Sequence, residues 1–564
     1  MYNIVEFFSG IGSQAKALRN LGVEINLVGT CEWDVHAIIA YDLIHNPSEI
    51  PADIQEMSKD ELLEKLKDFT FSNTGKAPLE YKFLRTYSVE VLRRLLLSVR
   101  RNHNYVDIST VDGSKLPGNI DILTYSFPCQ DLSNVGALHG YNKGIDKDSG
   151  SRSSLLWQVG RILSEMQEAG TDLPRFLLME NVPTLLSPRH FANFNTWIND
   201  LRKLGYVSKY YQLNSSDFGL PQNRPRLLMI SVYVGMNHEE NELVLDYFRF
   251  TSEATVIADY GASPHFRQYT VQELLRTNYK SKTLWDEAVE CVPNDTVSRK
   301  KIWEDNPQII KENNQYNTSI DVVRTITTKQ DRNPNSGNLY FDCGIAGKSK
   351  FRYLTPRECL LFMGFTDADF RNIKKHNLEF HKGDSLFARD KIIRMAGNSI
   401  PVKLLEGIFL QIQQIDALLR DYRKNAFIHT DQRSEKRKYA KIISEHLYHK
   451  GIRSRKPGGK YPEGPDLIFP GYNTCLYIQE CMLHAHTCSD AKLPLTNRYF
   501  WKCRVENTVE EDKAAYQALI QNGWNVLVVW KCELTPKSIT RTLNEIESKL
   551  RKNKIADDRH KGVG

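Results

Sequence analysis

Residues 3–14 read Asn-Ile-Val-Glu-Phe-Phe-Ser-Gly-Ile-Gly-Ser-Gln, and this stretch decides the fold class. An apolar strand pattern, Asn3–Phe7, leads through Gly10 and Gly12 into a helical pattern. Glycines at a turn between a strand and a helix permit tight backbone geometry and the close approach of a ligand. The alternative is a tight turn that binds nothing. Ala15 stands where a dinucleotide-binding G-x-G-x-x-G pattern has its third glycine, which disfavours a dinucleotide.

Short apolar strands alternate with helical segments over the first 230 residues, which is the pattern of a parallel α/β sheet. The other candidate strands in this part are Ile25–Cys31, Ile120–Tyr125, Phe176–Met179 and Leu227–Val232. We expect residues 1–234 to form one domain. Residues 235–345 are polar and weakly periodic, as in an inserted recognition domain, and residues 346–420 return to regular structure.

The remainder of the chain predicts a second, smaller domain. A charged segment at 421–440, with a break expected near His429–Arg433, is interpreted as a linker. Residues 441–564 then predict a small α/β domain. Its candidate strands are Leu467–Phe469, Thr474–Ile478 and Asn525–Trp530.

Composition restricts the class of protein. The chain has 564 residues, of which 41% are hydrophobic and 25% charged, and its net charge is +7. This surplus permits a nucleic-acid partner without requiring one. No run of eighteen apolar residues predicts a membrane span. The N-terminus enters a strand pattern without a basic stretch and an apolar signal core, so we expect no export. The ten cysteines are scattered, so we expect a reducing cytoplasm rather than a disulfide framework.

Carboxylates follow two further candidate strand ends. Glu32 stands directly after the second strand and is followed by Trp33. An acidic side chain there can accept both hydroxyls of a ribose, and an indole offers a flat face to an adenine. Asp107 and Ile108 follow another plausible strand end, where a carboxylate can hold an adenine amino group. Such strand ends meet on one side of an open α/β sheet.

A cysteine and several polar groups occupy the next strand ends. Cys129 follows Pro128 directly after the strand that ends at Tyr125. An arbitrary cysteine is usually a buried structural residue, but a thiolate at a strand end can also be a nucleophile. Glu180 follows the next strand, and Arg224 and Arg226 precede another. A nucleophile, a carboxyl group and guanidinium donors at adjoining strand ends favour a catalytic site.

The order of these segments resembles that of the DNA cytosine-5 methyltransferase family. The matching segments are Phe8-Ser9-Gly10-Ile11-Gly12, Glu32, Asp107-Ile108, Pro128-Cys129-Gln130, Glu180-Asn181-Val182, Gln222-x-Arg224-x-Arg226, Thr355-Pro356-Arg357-Glu358-Cys359, Met363-Gly364-Phe365 and Gly397-Asn398-Ser399-Ile400-Pro401. They cover residues 1 to about 415. One departure is Ser13, where a third glycine is common. The resemblance implies a Rossmann-like methyltransferase sheet that binds S-adenosylmethionine.

The resemblance also assigns roles to these residues. It implies that Cys129, Glu180, Arg224 and Arg226 are catalytic, with Cys129 adding to carbon 6 of the cytosine. It implies that the cofactor is bound by Phe8, Gly10, Gly12, Glu32, Trp33, Asp107, Ile108, Pro128, Asn398 and Ser399. The alternative role of Asn398 and Ser399 is to cap a helix that begins near Pro401. Residues 133–150 are expected to form a lid, or alternatively an ordinary surface loop.

The C-terminal part contains a cluster of soft metal ligands. Cys481, His486, Cys488 and a later Cys532 suit a tetrahedral structural zinc, although unliganded thiols are the alternative. This part resembles the very-short-patch-repair endonucleases, which nick DNA at T·G mismatches. The matching segments are Gly464-Pro465-Asp466, the four zinc ligands, Asn497-Arg498-Tyr499-Phe500-Trp501 and 523–532. The resemblance implies that these four residues bind zinc.

The nuclease residues of that second family are incomplete here. Asp466 matches its magnesium ligand and His484 matches a catalytic histidine. Its hydroxyl and histidine pair becomes Ile478-Gln479, and its aromatic wedge becomes Met482-Leu483. An acidic helix residue falls near Ala440, with Glu435 and Glu445 as neighbouring alternatives. These losses favour a domain that has lost mismatch cleavage, with magnesium bound only if the site is active.

Several readings of function remain open at this point. The preferred one is a monomeric methyltransferase that acts on a specific double-stranded DNA sequence, beside a separate restriction endonuclease. A bifunctional methyltransferase and T·G nicking enzyme is the main alternative. The others are a tRNA cytosine methyltransferase, a silent DNA-binding scaffold and a restriction enzyme carrying both activities. The C-terminal nuclease-like domain favours DNA over tRNA.

Overall fold

The computed structural model describes residues 1–129, 132, 145, 152–331, 334–381, 383–458, 462, 464–489, 491–493 and 498–554, with backbone alone at 152, 381 and 425–435. The strands are β1 Tyr2–Phe7, β2 Ile25–Cys31, β3 Ile122–Tyr125, β4 Phe176–Asn181, β5 Tyr206–Asn214, β6 Gln222–Asn223, β7 Pro225–Tyr233, β8 Gln308–Ile310, β9 Val323–Arg324, β10 Asn338–Tyr340, β11 Phe351–Arg352, β12 Glu379–His381, β13 Asp384–Ser385, β14 Leu467–Phe469, β15 Thr474–Gln479 and β16 Asn525–Trp530. The chain divides into two compact units, 1–412 and 413–564.

The helices lie between these strands, singly or in runs of several. They are α1 Ser13–Asn20, α2 Val35–His45, α3 Ala52–Gln55, α4 Lys59–Leu66, α5 Tyr81–Leu84, α6 Val89–Arg101, α7 Leu156–Glu168, α8 Pro188–Lys203, α9 His238–Phe250, α10 Glu253–Gly261, α11 Val271–Leu274, α12 Lys282–Glu290, α13 Val297–Asp305, α14 Pro356–Phe362, α15 Asp367–Lys375, α16 Arg389–Asn398, α17 Val402–His449, α18 Arg498–Gln521 and α19 Ile539–Lys552. Among the residues described, no helix is long and apolar enough to cross a membrane.

The first unit is built on a six-stranded sheet in the order β2-β1-β3-β4-β7-β5. Every residue of β3 and β4 is buried, as expected of central strands covered on both faces. Helices α7 and α8 cover one face, and their side chains Leu163 and Trp197 join the sheet in a single apolar core. The expected α/β sheet is confirmed.

The sheet is mixed rather than wholly parallel, so the parallel pattern expected from the sequence was wrong at one edge. Strands β1, β2, β3 and β4 pair in parallel, whereas β7 is antiparallel to both β4 and β5. Only residues 215–224 separate β5 from β7. A parallel pair needs a crossover of about a dozen residues or more, so this short connection favours antiparallel pairing.

The region between the large sheet and α14 has two parts. Helices α9 and α10 contact strand β5, and the Tyr247 hydroxyl donates to Gln411 Oε1 at 2.7 Å. The next part holds a small sheet, β11-β10-β8, with its own apolar cluster around Trp285 and Phe341. Strand β9 returns to pair with β6. Residues 238–261 therefore contact the large sheet, although they fall inside the recognition segment expected at 235–345.

Residues 421–440 are helical, so the expected break near residues 429–433 was wrong. Helix α17 runs from Val402 to His449, and the boundary between the two units falls within it. The chain has no glycine or proline between residues 408 and 449, and polar residues alone do not end a helix. In the second unit, β14 is antiparallel and β16 parallel to β15, and Ile443 and Leu447 of α17 lie in their core.

Candidate active site

Four strand ends of the large sheet lie in register. Phe7 pairs with Cys31 on one side and Tyr125 on the other, and Tyr125 pairs with Met179. The residues that follow these positions therefore emerge side by side at one edge of the sheet. Ligands of open α/β sheets bind outside the carboxyl ends of the strands.

The loop after β1 has left-handed backbone at three alternate positions. The φ angles of Phe8, Gly10 and Gly12 are 56°, 54° and 79°. A Cβ at Gly12 would lie 2.2 Å from His45 Nε2, so a larger residue does not fit there. Gly10 has open space beside its Cα. The loop thus requires glycine at position 12 and leaves room for a ligand at position 10.

Glu32 joins the end of β2 to this loop. The Gly10 and Asp34 amides donate to its carboxylate at 3.0 and 2.8 Å. Burial, and then the negative charge of Asp34, raises the pKa of Glu32 to about 7. Trp33 follows as a partly exposed ring. The carboxyl group and the indole thus stand at the same edge as the glycine loop.

Asp107 and Ile108 follow a single bridge rather than a regular strand. Asn104 bridges Thr30, and the Cys31 thiol donates to the Val106 carbonyl at 3.4 Å. The Ser109 amide and hydroxyl both donate to Asp107 Oδ1, at 2.9 and 2.7 Å. The regular strand expected to end just before Asp107 was therefore wrong, because a single bridge stands there. The carboxylate nevertheless stands beside the end of β2, while Ile108 is buried.

Two hydrogen bonds fix the segment that carries Cys129. Ser153 donates to the Pro128 carbonyl at 2.6 Å, and the Asn181 amide donates to the Phe127 carbonyl at 3.0 Å. Burial raises the pKa of the Cys129 thiol, and the guanidinium of Arg226 acts in the opposite direction. The thiol is partly exposed. The lid expected at 133–150 lies, apart from Ile145, outside the described residues.

Glu180 and Arg226 form an ion pair beside this cysteine. Arg226 Nε lies 2.8 Å from Glu180 Oε1, and each side chain is 12% exposed. Burial raises the pKa of Glu180, while Arg226 and Arg224 lower it. A carboxyl group with a raised pKa holds its proton more readily and can donate it to a ligand.

Arg224 differs from Arg226 in its contacts. Its side chain is buried and donates to the carbonyl oxygens of Ile326, Gly397 and Ser399 at 2.8, 2.7 and 2.8 Å. These carbonyls belong to two separate segments of the chain. The guanidinium therefore connects the residue between β6 and β7 to the segment that follows β9 and to the C-terminal end of α16.

The C-terminal end of α16 requires a glycine because another backbone segment passes it closely. A Cβ on Gly397 would lie 2.6 Å from both Thr327 C and Thr328 N. Asn398 is exposed, and the Ser399 hydroxyl donates to the Met395 carbonyl at 2.8 Å. Ser399 therefore bonds to the helix that precedes it, and does not cap the helix that begins after Pro401.

The four soft ligands of the second unit lie together. Their donor atoms are all within 4.8 Å of one another: Cys481, His486, Cys488 and Cys532. Strands β15 and β16 end in register at Gln479 and Trp530, which brings Cys481 and Cys532 to one edge. The ring of His486 stacks on Trp530 with centroids 4.3 Å apart. This donor set fits a tetrahedral Zn²⁺, whose ligands lie about 2.0–2.3 Å from the metal.

Asp466 is already neutralised by a lysine. The Ile478 amide donates to Asp466 Oδ2 at 2.7 Å, and Lys436 Nζ lies 3.3 Å from the same oxygen. Magnesium binds oxygen ligands such as carboxylates. Lys436 would therefore compete with Mg²⁺ for the one carboxylate that matches the magnesium ligand. Glu445 is exposed and pairs with Lys441, and the side chain of Glu435 lies outside the description.

The structure also adds an acidic partner that the sequence did not indicate. Asp512 of α18 lies 2.5 Å from His484 Nδ1. Gln479 donates to the Tyr516 hydroxyl at 2.9 Å and to Asp512 Oδ1 at 3.4 Å. Asp512 stands in a helix rich in Glu and Lys, so no local pattern distinguishes it from a solvated charge.

Similarity to known proteins extends over both units. Residues 86–414 match the family profile "C-5 cytosine-specific DNA methylase", and residues 416–490 match "DNA mismatch endonuclease Vsr". Type II methyltransferase M2.ScrFI of Lactococcus lactis is 30% identical over 73% of this chain and 99% of its own length. Orphan methyltransferase M.SssI of Spiroplasma monobiae is 38% identical over 40% of this chain and 58% of its own. Type II nicking enzyme V.NmeAIP of Neisseria meningitidis is 30% identical over 21% of this chain and 84% of its own.

Proposed function

Because the chain belongs to the C-5 cytosine-specific DNA methylase family, we propose that it methylates carbon 5 of cytosine at a specific site in duplex DNA through Cys129. One observation carries the assignment of residues. The register of the sheet brings Cys129, Glu180 and Arg226 to a single edge, with the acid and the guanidinium 2.8 Å apart. A nucleophile, a proton donor and an oxygen-binding cation are the groups that this chemistry needs.

S-adenosylmethionine, when bound, supplies an electrophilic methyl group. The chain's residues at the sheet edge fit this cofactor. Glu32 offers a carboxylate for the ribose hydroxyls, Trp33 offers a ring for the adenine, and Gly10 leaves open space in the loop. Phe8, Asp107, Ile108, Pro128, Asn398 and Ser399 complete the proposed pocket.

Cys129 activates carbon 5 of the cytosine, which is a poor nucleophile inside the aromatic ring. Addition of its thiolate to carbon 6 of the cytosine makes carbon 5 nucleophilic. Glu180, protonated, stabilises the charge that develops at ring nitrogen 3, and Arg226 binds the ring oxygen. Carbon 5 would then form its bond to the methyl group, and the electron pair of the broken bond would stay on the sulfur of the cofactor. A base takes the carbon-5 proton, and cleavage of the bond between carbon 6 and the sulfur of Cys129 releases the thiolate. A ring inside a duplex cannot reach these groups, so the base is flipped out.

Arg224 acts in this proposal as a positioning residue. Its guanidinium donates to three backbone carbonyls at 2.7–2.8 Å, and its side chain is buried. A direct contact with the base would require these bonds to break. We infer that Arg224 holds the Gly397–Ser399 turn beside the site and leaves base contact to Arg226.

Sequence recognition is assigned to the part between α10 and α14. The small sheet of β8, β10 and β11 carries it, together with the polar segments around that sheet. We further propose that the protein acts as a monomer in a restriction-modification setting, with cleavage by a separate endonuclease. The type II methyltransferase relative supports that setting.

The C-terminal unit is proposed to bind structural zinc and DNA. The four clustered donors support zinc, and metal analysis of the purified chain and of Cys532→Ser tests it. T·G nicking remains the second candidate function, because His484 and Asp512 form a pair suited to activating a water. The Lys436–Asp466 contact weighs against it.

The first experiment is transfer of labelled methyl from S-adenosylmethionine to unmethylated duplex DNA. We expect transfer by the intact chain and none by Cys129→Ala. The same preparations are offered tRNA, and a T·G duplex with Mg²⁺ for nicking. Transfer to tRNA alone would contradict the DNA assignment. Blank results on both nucleic acids would favour a silent DNA-binding scaffold.

A further inference from the structure

The positive charge of the chain is concentrated in one short segment of the second unit. Residues 436–458, which we name the basic segment, hold eight Lys or Arg residues and one Glu. Their net charge of +7 equals that of all 564 residues, so the rest of the chain is electrically balanced. Such concentration produces a strong local potential on an otherwise neutral protein.

The helical half of the basic segment separates apolar and cationic residues on opposite sides. Ile443 and Leu447 are fully buried in the core of the second unit. Arg437 and Lys441 are exposed and stand four residues apart, so they lie on one face of the helix. Tyr448, at 61% exposure, follows on the same face. The apolar side holds the helix in the unit and directs the cations to solvent.

Most of these cations are not neutralised by the protein. Lys441 pairs with Glu445 at 3.7 Å. Arg437, Lys438, Arg453 and Lys456 are exposed and form no ion pair with any residue in the described parts of the chain. Unpaired like charges this close repel one another, which is tolerated where a polyanion binds. The surface thus has charge to offer to a partner.

We propose that the basic segment binds the phosphate backbone of duplex DNA without regard to sequence and so retains the methyltransferase on its substrate. This inference rests on the proposed function, since that function supplies DNA as the polyanion. Duplex DNA carries a negative charge about every 1.7 Å along its axis. Anionic lipid fits less well, because an interfacial helix exposes a broad apolar face. Among residues 436–458, Tyr448 is the one large hydrophobic side chain exposed.

The test uses a duplex that contains no cytosine. Full-length protein is titrated onto a labelled (dA)30·(dT)30 duplex at several NaCl concentrations. The test variant combines Arg437→Gln, Lys441→Gln, Arg453→Gln and Lys456→Gln. The matched control variant removes the same charge from exposed lysines elsewhere, as Lys65→Gln, Lys374→Gln, Lys537→Gln and Lys549→Gln. Melting temperatures establish that both variants are folded.

We expect the test variant to bind the duplex at least tenfold more weakly at 100 mM NaCl. Each lost phosphate contact reduces the magnitude of the slope of log K against log salt by about 0.9, so loss of four contacts should reduce it by about 3.6. An unchanged slope, or an equal loss in the control variant, would overturn the proposal. So would binding to anionic vesicles with none to the duplex. The duplex has no cytosine, so this binding test does not depend on methyl transfer. Weaker binding by the variant would support the proposal even if the wild type transferred no methyl group.

Discussion

The two candidate sites share one construction and differ in which cation neutralises their carboxyl group. In the first unit, strands in register bring Glu180 to a sheet edge, where Arg226 of the neighbouring strand pairs with it. In the second unit, strands in register bring the metal ligands to an edge, but a helix lysine pairs with Asp466. The arginine of the first pair lies beside the partly exposed Cys129, whereas the lysine of the second pair contacts the carboxylate that matches a magnesium ligand. Placement at a sheet edge therefore does not determine chemistry by itself.

The largest expected effect is the loss of methyl transfer on substitution of Glu180, which substitution of Asp466 should not cause. Glu180→Gln removes the proposed proton donor, so the turnover number of methyl transfer should fall by about 10²–10⁴-fold. Asp466→Asn is the matched control in the second unit and should leave that rate within twofold. Steady-state transfer of labelled methyl measures both. Equal losses would mean that the two sites do not act separately.

Substitution of Arg224 should mainly lower stability, whereas substitution of Arg226 in the same motif should mainly lower the turnover number. Arg224→Lys cannot satisfy three carbonyls at once, so the free energy of unfolding should fall by about 2–3 kcal/mol. Arg226→Lys keeps a positive charge beside Glu180, so it should lower the turnover number while reducing the free energy of unfolding less than Arg224→Lys does. Urea denaturation and transfer kinetics on both variants test the difference. A stable but inactive Arg224→Lys would contradict its positioning role.

Cofactor binding should depend on the ionisation of Glu32. Burial raises the pKa of this carboxyl to about 7, so it is largely neutral at pH 6 and ionised at pH 8. An ionised carboxylate accepts hydrogen bonds from ribose hydroxyls more strongly. The dissociation constant for S-adenosylmethionine should therefore fall about tenfold from pH 6 to pH 8. Calorimetry of Glu32→Gln should show no such dependence, and a wild-type profile that is equally flat would refute the assignment.

The smallest effect tests the lysine in the second unit. Lys436→Met removes a half-exposed cation from Asp466, a contact worth about 1 kcal/mol, and should tighten Mn²⁺ binding about fivefold. Electron paramagnetic resonance of the full chain measures free Mn²⁺. The double variant Lys436→Met with Asp466→Asn should lose the gain. Tight Mn²⁺ binding by the wild type that Asp466→Asn abolishes would show that the lysine does not exclude the metal.

Much of the fold could be predicted where apolar residues run without interruption. The bounds expected for Ile25–Cys31 and Asn525–Trp530 are confirmed without change. Strand β5 was missed because its sequence mixes Ser, Lys, Gln and Asn with tyrosines, as an edge strand exposed on part of its surface permits. Strand direction depends on connections and pairing rather than composition, so the antiparallel β7 was also beyond local patterns.

The residues of the two sites also differ in whether a local sequence pattern predicts them. The residues proposed to act in catalysis and cofactor binding come in short motifs at strand ends, so their order along the chain indicates where they meet. The structure brings Cys129, Glu180 and Arg226 together, but it places Arg224 on backbone carbonyls. Lys436 and Asp512 act from charged helices, where contact depends on packing between elements distant in sequence. No periodicity or spacing singles such residues out.

The backbone contact at Gly397 limits how the target specificity of this enzyme can be re-engineered. Residues 326–328 sit against that glycine and on Arg224, and strand β9 is paired with β6 just before them. A graft that replaced everything between the large sheet and α14 would remove these backbone contacts together with the proposed recognition surface. Junctions placed after Gly261 and before Val323, with residues 323–328 kept, would exchange the foreign segment while preserving the parent's own anchor.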